Sequence, residues 1–561
     1  MTSESEPWSH PLSRTAPSLG AVTPYVAEEF TTDERNILRR YFSNLDGPVF
    51  ALVNLPEVVK GALFARYSRS AKSLRRLFLD EFVSDLDVAG DVTVDATVGL
   101  DRAEALYERV FLEYGDDSVA QLGGVHLACE QASNVLTKIL EWGRLMSYLE
   151  QSTRYIAYDT RMGGRYRYYR DPDLLGSPFG ARYVGDMDEM FDIYSELLPT
   201  LGDHYRNVIP KDPEDSDFVY RQAIRAKAFD ALRGLLPAAS LSNVGIYGTG
   251  QGFEQLLLRM RSLDLPEARN YSDLMLTELR KVIPSFLKRV DMADRGQLWT
   301  DYLGTNRRAM AELAGRLLPD DNGPTATTDS RVTLVDFDPD GEIKTIVAML
   351  YPSSHLPEVE LEARVAAMSV EDRISALRTY VGDRSNRRHK PGRALERTSY
   401  RFDVLSDYGA FRDLQRHRLL TIEWQDLSPR HGFVRPEAVA DAGGMESYDR
   451  AMDLSARLWA DLTEHYPSQA PYAVALAYRV RYTMQMNARE AMHLIELRSS
   501  PQGHPSYRTV AQDMHHLIGD VAGHRAIAEM MTFVDHSDEA DLERIAAERR
   551  AELKRSTLTG G

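Results

Sequence analysis

Cysteine is nearly absent. Cys129 stands alone in 561 residues, which excludes an internal disulfide framework and any cysteine-rich metal site. It lies in VHLACEQAS without a neighbouring histidine or basic cluster to lower its pKa, so a buried core residue is expected and a thiolate nucleophile is disfavoured. Redox chemistry would then need a borrowed cofactor. No run of about 18 apolar residues occurs, and the opening MTSESEPWSHPLSRTAPS lacks the apolar centre of a secretory signal, so the reading is a cytoplasmic protein with no membrane partner. Positive charge is in deficit: 67 Lys and Arg against 84 Asp and Glu leave a formal net charge of −17. Long nucleic acids bind by neutralising many phosphates at once and are not expected partners. A mononucleotide needs only two or three well-placed arginines.

What is present reads as globular, with 43% hydrophobic and 27% charged residues. The length exceeds what one core normally holds, so at least two domains are expected. Residues 1–44 lack periodicity and read as a flexible tail. A first domain spans 45–316, LLPDDNGPTATTDSR (317–331) is the linker, a second domain spans 332–536, and 537–561 is a charged tail with helical spacing. FALVNLPEVVKGALFARYS reads as a strand then a helix. Val135, Ile139, Trp142 and Met146 predict a long helix over 127–151, and VTLVDFDPDGEIKTIVAML predicts two strands joined by a turn at Pro339, Asp340 and Gly341.

The two halves repeat. Aligning GTGQGFEQLLLRMRSLDLPEARNY with NAREAMHLIELRSSPQGHPSYRTV puts Arg259 opposite Arg498, Pro266 opposite Pro505 and Arg269 opposite Arg508, each at an offset of 239. KILEWGRLMSYLE beside RDLQRHRLLTIEW puts Arg144 opposite Arg418, at an offset of 274. The 35-residue difference requires extra sequence in the first copy, for which the segment from Asp171 is the candidate. Two copies of this length imply an internal pseudo-dimer.

Three segments carry groups suited to chemistry. YLEQSTRYIAYD packs Glu150, Gln151, Ser152, Arg154 and Tyr155 into six positions, and an arginine beside hydroxyl and amide donors suits a phosphate. NAREAMHLIELR is helical, with Ala488, Met492 and Ile495 on an apolar stripe and Arg489 and His493 four apart on another face. Arg416, His417 and Arg418 form a basic triplet. Taken singly, each is equally compatible with a solvated surface. GIYGTGQG lacks dinucleotide-fingerprint spacing. His515, His516 and His524 lack the carboxylate or cysteine partners of a metal shell, so a histidine-bearing helix surface and no metal are expected.

Together these segments resemble the flavin-dependent thymidylate synthases, whose signature runs from an RHR triplet to a serine loop ending in Arg and Tyr. EQSTRY resembles its second half, RHR at 416–418 its first, and NAREAMHLIELR the family's second motif. The resemblance implies an α/β fold of α+β type in both domains. It also implies FAD as cofactor, NADPH and methylenetetrahydrofolate as co-substrates, methylation of dUMP or a related uridine nucleotide, and a homodimer forming a pseudo-tetramer. Catalytic roles fall to Arg498, Ser152 and Arg154. The flavin would be held by Arg144, Glu150, Asn487, Arg489, His493, Arg416, His417, Arg418 and His389, and the nucleotide by Glu150, Gln151, Ser152, Arg154, Tyr155, Arg498 and Arg233.

Each copy departs from the pattern. The first has Trp142, Gly143 and Arg144 in place of RHR, Gly248, Thr249 and Gly250 in place of NAR, and GDDSVAQ where the second has His389. The second has lost the serine loop. Because family sites are built between subunits, the first copy's loop is expected to face the second copy's helix, and the weaker reverse pairing joins His389 and Arg416 to Arg418 with Arg233 and Arg259. A flavin enzyme acting on another pyrimidine nucleotide, or a non-catalytic flavin- or nucleotide-binding scaffold, fits the same motifs.

Overall fold

A computed structural model describes residues 25–55, 57–83, 123–154, 156–213, 215–318 and 330–537. Among them lie two antiparallel four-stranded sheets of identical topology. Strands β1 (Val49–Leu52), β2 (Gly124–Ser133), β3 (Met146–Glu150) and β4 (Leu241–Thr249) pair in the order β1-β2-β4-β3. Strands β5 (Val332–Phe337), β6 (Ser399–Asp407), β7 (Leu420–Trp424) and β8 (Arg479–Asn487) pair in the order β5-β6-β8-β7. With the first sheet go α1 (Thr32–Leu38), α2 (Glu57–Tyr67), α3 (Leu74–Glu81), α4 (Asn134–Leu140), α5 (Pro172–Leu175), α6 (Gly180–Val208), α7 (Asp217–Leu232), α8 (Gly250–Arg261), α9 (Pro266–Leu279) and α10 (Gly296–Leu317). With the second go α11 (Gly341–Leu350), α12 (Glu358–Ala366), α13 (Val370–Val381), α14 (Tyr408–Leu414), α15 (Glu437–Asp441), α16 (Met445–Thr463), α17 (Ala488–Arg498), α18 (Pro505–Asp520) and α19 (Arg525–Glu529). Helices and antiparallel strands thus make an α+β fold twice over.

The copies meet face to face through reciprocal contacts. Ala238 N–H donates to Val474 O (2.8 Å) while Leu476 N–H donates to Leu236 O (2.9 Å), and the partners are related by one offset, since 476 − 238 and 474 − 236 both give 238. Arg144 donates to Leu420 O (3.2 Å) and Thr421 Oγ1 (2.8 Å), and Arg418 answers with Met146 O and Ser147 Oγ (3.1 Å to the hydroxyl) at the offset of 274. Such mutual exchange is the mark of a two-fold interface, here within one chain. One apolar core runs through both copies. Gly234 sits at the seam, where a Cβ would lie 2.6 Å from the Tyr448 hydroxyl and 3.0 Å from Ala477.

Four sequence expectations are corrected. Residues 127–151 do not form one helix: they form β2, α4 and β3, because Gln131 takes a positive φ of 56° at a break in the β2–β4 register and Ser133 then caps α4. The apolar spacing from Val135 to Met146 was helical only by coincidence across the α4–β3 turn. After β5, residues 341–350 are helix α11 and not a second strand; Ile346 and Val347 are buried there on one side. Residues 25–44 are not a loose tail, since Thr31 closes a capping box on α1 and Leu38 and Phe42 are buried. Finally, the segment from Asp171 forms α5 and the start of α6, matched in order by α15 and α16. The extra sequence of the first copy is chiefly α7 and a longer α6, 29 residues against 19.

Residues 1–24, Tyr155, most of 317–331, the GDDSVAQ stretch and the tail beyond 537 lie outside the described residues. Cys129 is fully buried on β2, and burial, with Glu130 beside it, pushes its thiol up. Among the described residues, no helix is long and apolar enough to cross a membrane.

Candidate functional site

The end of β3 delivers Glu150 to the seam. It is buried among cations from both copies, accepting from Lys138 (3.2 Å), Arg412 (2.9 Å) and Arg416. Burial alone would raise its carboxyl, but Lys138, Arg412 and Arg416 outweigh that and hold it well below the usual range. Arg416 of the RHR triplet is therefore committed to a carboxylate of the first copy.

Beyond Glu150 the chain turns through Gln151 and Ser152 to Arg154. Two parallel bonds of 2.7 Å join Arg154 to Asp230 at the end of α7, a fork-on-fork geometry that fixes the guanidinium plane. Its Nη1 donates to the Tyr507 hydroxyl of α18 at 3.0 Å. Asn487 caps α17, accepting from Glu490 N at 2.9 Å, and the helix ends on Arg498, where a cation complements the C-terminal dipole. The guanidinium carbon of Arg498 lies 5.6 Å from the Tyr507 ring centre. First-copy loop and second-copy helix thus converge on Tyr507.

Asp413 ties in the remaining cations, at 3.7 Å from Arg498 and 3.8 Å from Arg233. Burial would raise it, but Arg416, Arg498, Arg233 and Arg154 pull its carboxyl down to about 2. His504, at the N-terminus of α18, accepts from Ser506 N with Nδ1 and donates to Asp230 O with Nε2 (3.2 Å each). Burial, reinforced by Arg233, depresses its pKa to about 3, so it is neutral at pH 7. Arg233 thus shares Asp413 with Arg498.

The RHR triplet is split three ways. Arg416 faces Glu150. His417 Nε2 accepts from Arg498 Nε at 3.0 Å, which leaves its Nδ1–H to donate to Glu490 at 3.1 Å. Burial, with Arg498 adjacent, keeps this imidazole neutral. His417, Glu490 and His493 bring three potential ligand atoms within 4.8 Å of one another, but both nitrogens of His417 are already engaged, and the arrangement orients Arg498 instead. Only His417 and Arg418 share a cavity with Arg259 and Arg144, a space of about 410 Å³ between the copies. His389 is exposed on the loop that follows α13, beside Lys390 and Pro391, and Arg489 of α17 donates to Pro391 O at 2.8 Å. Of the other histidines, His524 is buried and bonded to Tyr400 (2.8 Å), not on a helix surface, whereas His515 meets His536 at 3.0 Å.

The sequence matches the family described as thymidylate synthase complementing protein over residues 65–285 and 333–522, once in each copy. The chain belongs to that family, the flavin-dependent thymidylate synthases. Similar chains include a UPF0159 protein of Chlamydia muridarum, 40% identical over 93% of this chain and 98% of its own. UPF0159 protein Ta1429 of Thermoplasma acidophilum is 32% identical over 88% of this chain and 99% of its own. A solved structure of a UMP/dUMP methylase PolB from Streptomyces cacaoi, bound with 5-Br dUMP, covers 35% of this chain and 94% of that chain at 18% identity, with a TM-score of 0.28. That likeness is too slight to bear on the fold.

The family implies FAD, and the second copy offers groups that fit it. Arg489 is half-buried, its long contact to Glu396 being 3.4 Å, and His493 makes a ring contact with His417 but no hydrogen bond among the described residues. Burial lowers His493 to about 4. Arg489 and His493 on α17, with Lys390 of the neighbouring loop close enough to act on His493, make a cationic, ring-bearing surface suited to an anionic heterocyclic cofactor. The first copy's Thr249 and Gly250 supply no such donors. Sequence reasoning missed Asp230, Arg412, Asp413, Glu490, His504 and Tyr507. Arg412 and Asp413 adjoin RHR and Glu490 lies inside NAREAMH, so only their partners were hidden.

Proposed function

We propose that the chain is a flavin-dependent enzyme that methylates the pyrimidine of a uridine nucleotide, dUMP in the simplest case, at the seam where Arg154 and Arg498 meet Tyr507. That convergence of a first-copy and a second-copy arginine is the observation that carries the reading. FAD, when bound along Asn487, Arg489, His493 and His389, supplies the hydride that turns a methylene from methylenetetrahydrofolate into a methyl group, with NADPH as its reductant.

The protein's own groups bind and orient. Arg154 and Ser152 take the phosphate with Arg233 in support, and Asp230 and Asp413 hold these guanidiniums in place until the anion arrives. Arg498 has its Nε–H occupied by His417 and its Nη1 beside Asp413, so its Nη2 is the nitrogen assigned to the base. There it offsets negative charge that develops on the pyrimidine as the ring is attacked, in a buried setting where such stabilisation is strong. Tyr507 closes the space between the two arginines. Because His417 and His504 are neutral, they hold geometry without adding competing charge.

The cofactor surface is open on one side, and we propose that two chains pair to cover it, giving a dimer of about twice 63.4 kDa. Since the first copy lacks the corresponding donors, each chain carries one working site. Visible absorbance of the protein with added FAD, followed by dUMP titration, tests the reading: a flavin spectrum that shifts with dUMP supports it, and no flavin uptake favours a non-catalytic nucleotide-binding scaffold.

A further inference from the structure

Three histidines that the composite site does not use stand together beside α18. His515 and His516 lie toward the end of that helix, and His536 belongs to the segment that follows α19 and returns along it. His515 Nε2–H donates to Ala528 O at 2.9 Å; a carbonyl can only accept, so the tautomer is fixed and Nδ1 is left as a bare lone pair. That Nδ1 lies 3.0 Å from His536 Nε2. The ring centres are 4.6 Å apart for His516 and His536, 5.1 Å for His515 and His536, and 6.1 Å for His515 and His516. The returning segment is pinned on both sides of His536. Gln512 Nε2 donates to Asp535 O and Arg508 Nη2 to Ser537 O, each at 2.9 Å, and Asp535 N–H donates to Ser499 Oγ at 3.1 Å.

A bare imidazole nitrogen this close to a second one is satisfied by a shared proton or by an ion that both ligate. Rings bound to one tetrahedral zinc, at about 2.0–2.1 Å per nitrogen, have their nitrogens about 3.3 Å apart and their centres about 5 Å apart. The pairs His515–His536 and His516–His536 already stand near those spacings. Among the described residues only His417, Glu490 and His493 have three ligand atoms within 4.8 Å of one another, so the exposed His516 side chain has to turn toward the other two. We infer that His515, His516 and His536 form a site for a divalent transition metal of the zinc class, held by three imidazoles with a fourth position open to water. Ala528 O is the outer acceptor that orients a ligating histidine. Burial holds His515 and His536 below the usual imidazole range, so both are in the neutral, ligating form at pH 7. Carboxylates supply negative charge around the site: Asp520 and Glu496 act on His515, and Asp535 acts on His536. The set is hidden in HHLIGDVAGH, where His524 offers itself as the third ring but is bonded to Tyr400 instead. An ion here clamps the returning segment to α18, and through Asp535 and Ser499 it steadies the end of α17 next to Arg498.

The inference stands whether or not the chain methylates a nucleotide. Its test is titration of the full, tag-free chain, stripped with EDTA, with Co²⁺ and then Zn²⁺, followed by visible absorbance and by calorimetry. One ion per chain is expected, with the visible bands of nitrogen-ligated Co²⁺ and their loss when Zn²⁺ displaces it. His516→Gln and His536→Gln should each weaken binding at least about tenfold, since removal of even an outer partner of a ligand does so, whereas His493→Gln should leave it unchanged. Zn²⁺ should also raise the melting temperature of the wild type and not that of His536→Gln. No uptake, or several weakly held ions per chain, which marks adventitious surface binding only, would overturn it. So would binding that survives both His516→Gln and His536→Gln, or binding lost with His493→Gln.

Discussion

Glu150→Gln isolates the contact that joins the copies beside the site. The substitution keeps shape and removes one buried charge from among three cations that lie within 3.2 Å of it. At an effective dielectric constant near 20, a unit pair about 3 Å apart interacts by roughly 5 kcal/mol. Desolvation of each ion cancels much of this, so the net cost of leaving the cations facing an amide is about 3–5 kcal/mol. That is a large share of the roughly 5–15 kcal/mol that holds a typical domain. Chemical denaturation of the wild type and the variant at neutral pH measures it. Adding Arg412→Met should recover part of the loss, because the double change removes one of the stranded charges. A single variant within about 1 kcal/mol of wild type, or no recovery in the double variant, would refute the view that cross-copy charge pairing organises this seam.

Glu490→Gln removes the carboxylate that fixes the His417 tautomer. Nucleotide affinity should fall about tenfold through Arg498, and Glu490→Asp should restore part of it, as read by dUMP titration. Two buried groups predict opposite pH trends. Burial raises Glu267 to about 7 although Ser133 and Tyr472 donate to it; the folded value lies above the unfolded one near 4.3, so its stabilisation is full below about pH 4 and is lost as pH rises through 7. Glu267→Gln should therefore flatten the melting temperature between about pH 5 and 7. His504, at about 3, lies below its unfolded value near 6.5; its stabilisation is present above about pH 6.5 and is lost as pH falls toward 3. His504→Asn keeps an N-cap and should make the protein less sensitive to acid over that window.

The sequence was informative wherever a local rule decided the structure. The β8–α17 corner is announced by Asn487 as a cap followed by apolar residues at helical spacing, and the repeat of Pro266 and Pro505 marks the first turns of α9 and α18. It misled where pairing overrode pattern. The stripe from Val135 to Met146 has helical spacing, yet β2 and β3 flank the same strand, β4, and sheet hydrogen bonding claims both ends. Site residues were visible by type but not by partner. Arg416 and Glu150 lie 266 positions apart, and only the pseudo-two-fold arrangement of the copies brings them together. The partners of Arg233 were hidden for the same reason, since nothing near RGLLP points to Asp407 or Asp413.

The central claim is that one nucleotide is held by arginines from both copies. Its most direct test is dUMP titration of the FAD-supplemented protein, read by flavin absorbance, for wild type, Arg154→Ala, Arg498→Ala and Arg259→Ala. The account predicts that the first two variants each lose the nucleotide response and that Arg259→Ala keeps it. Retention of the response by both Arg154→Ala and Arg498→Ala would contradict the account.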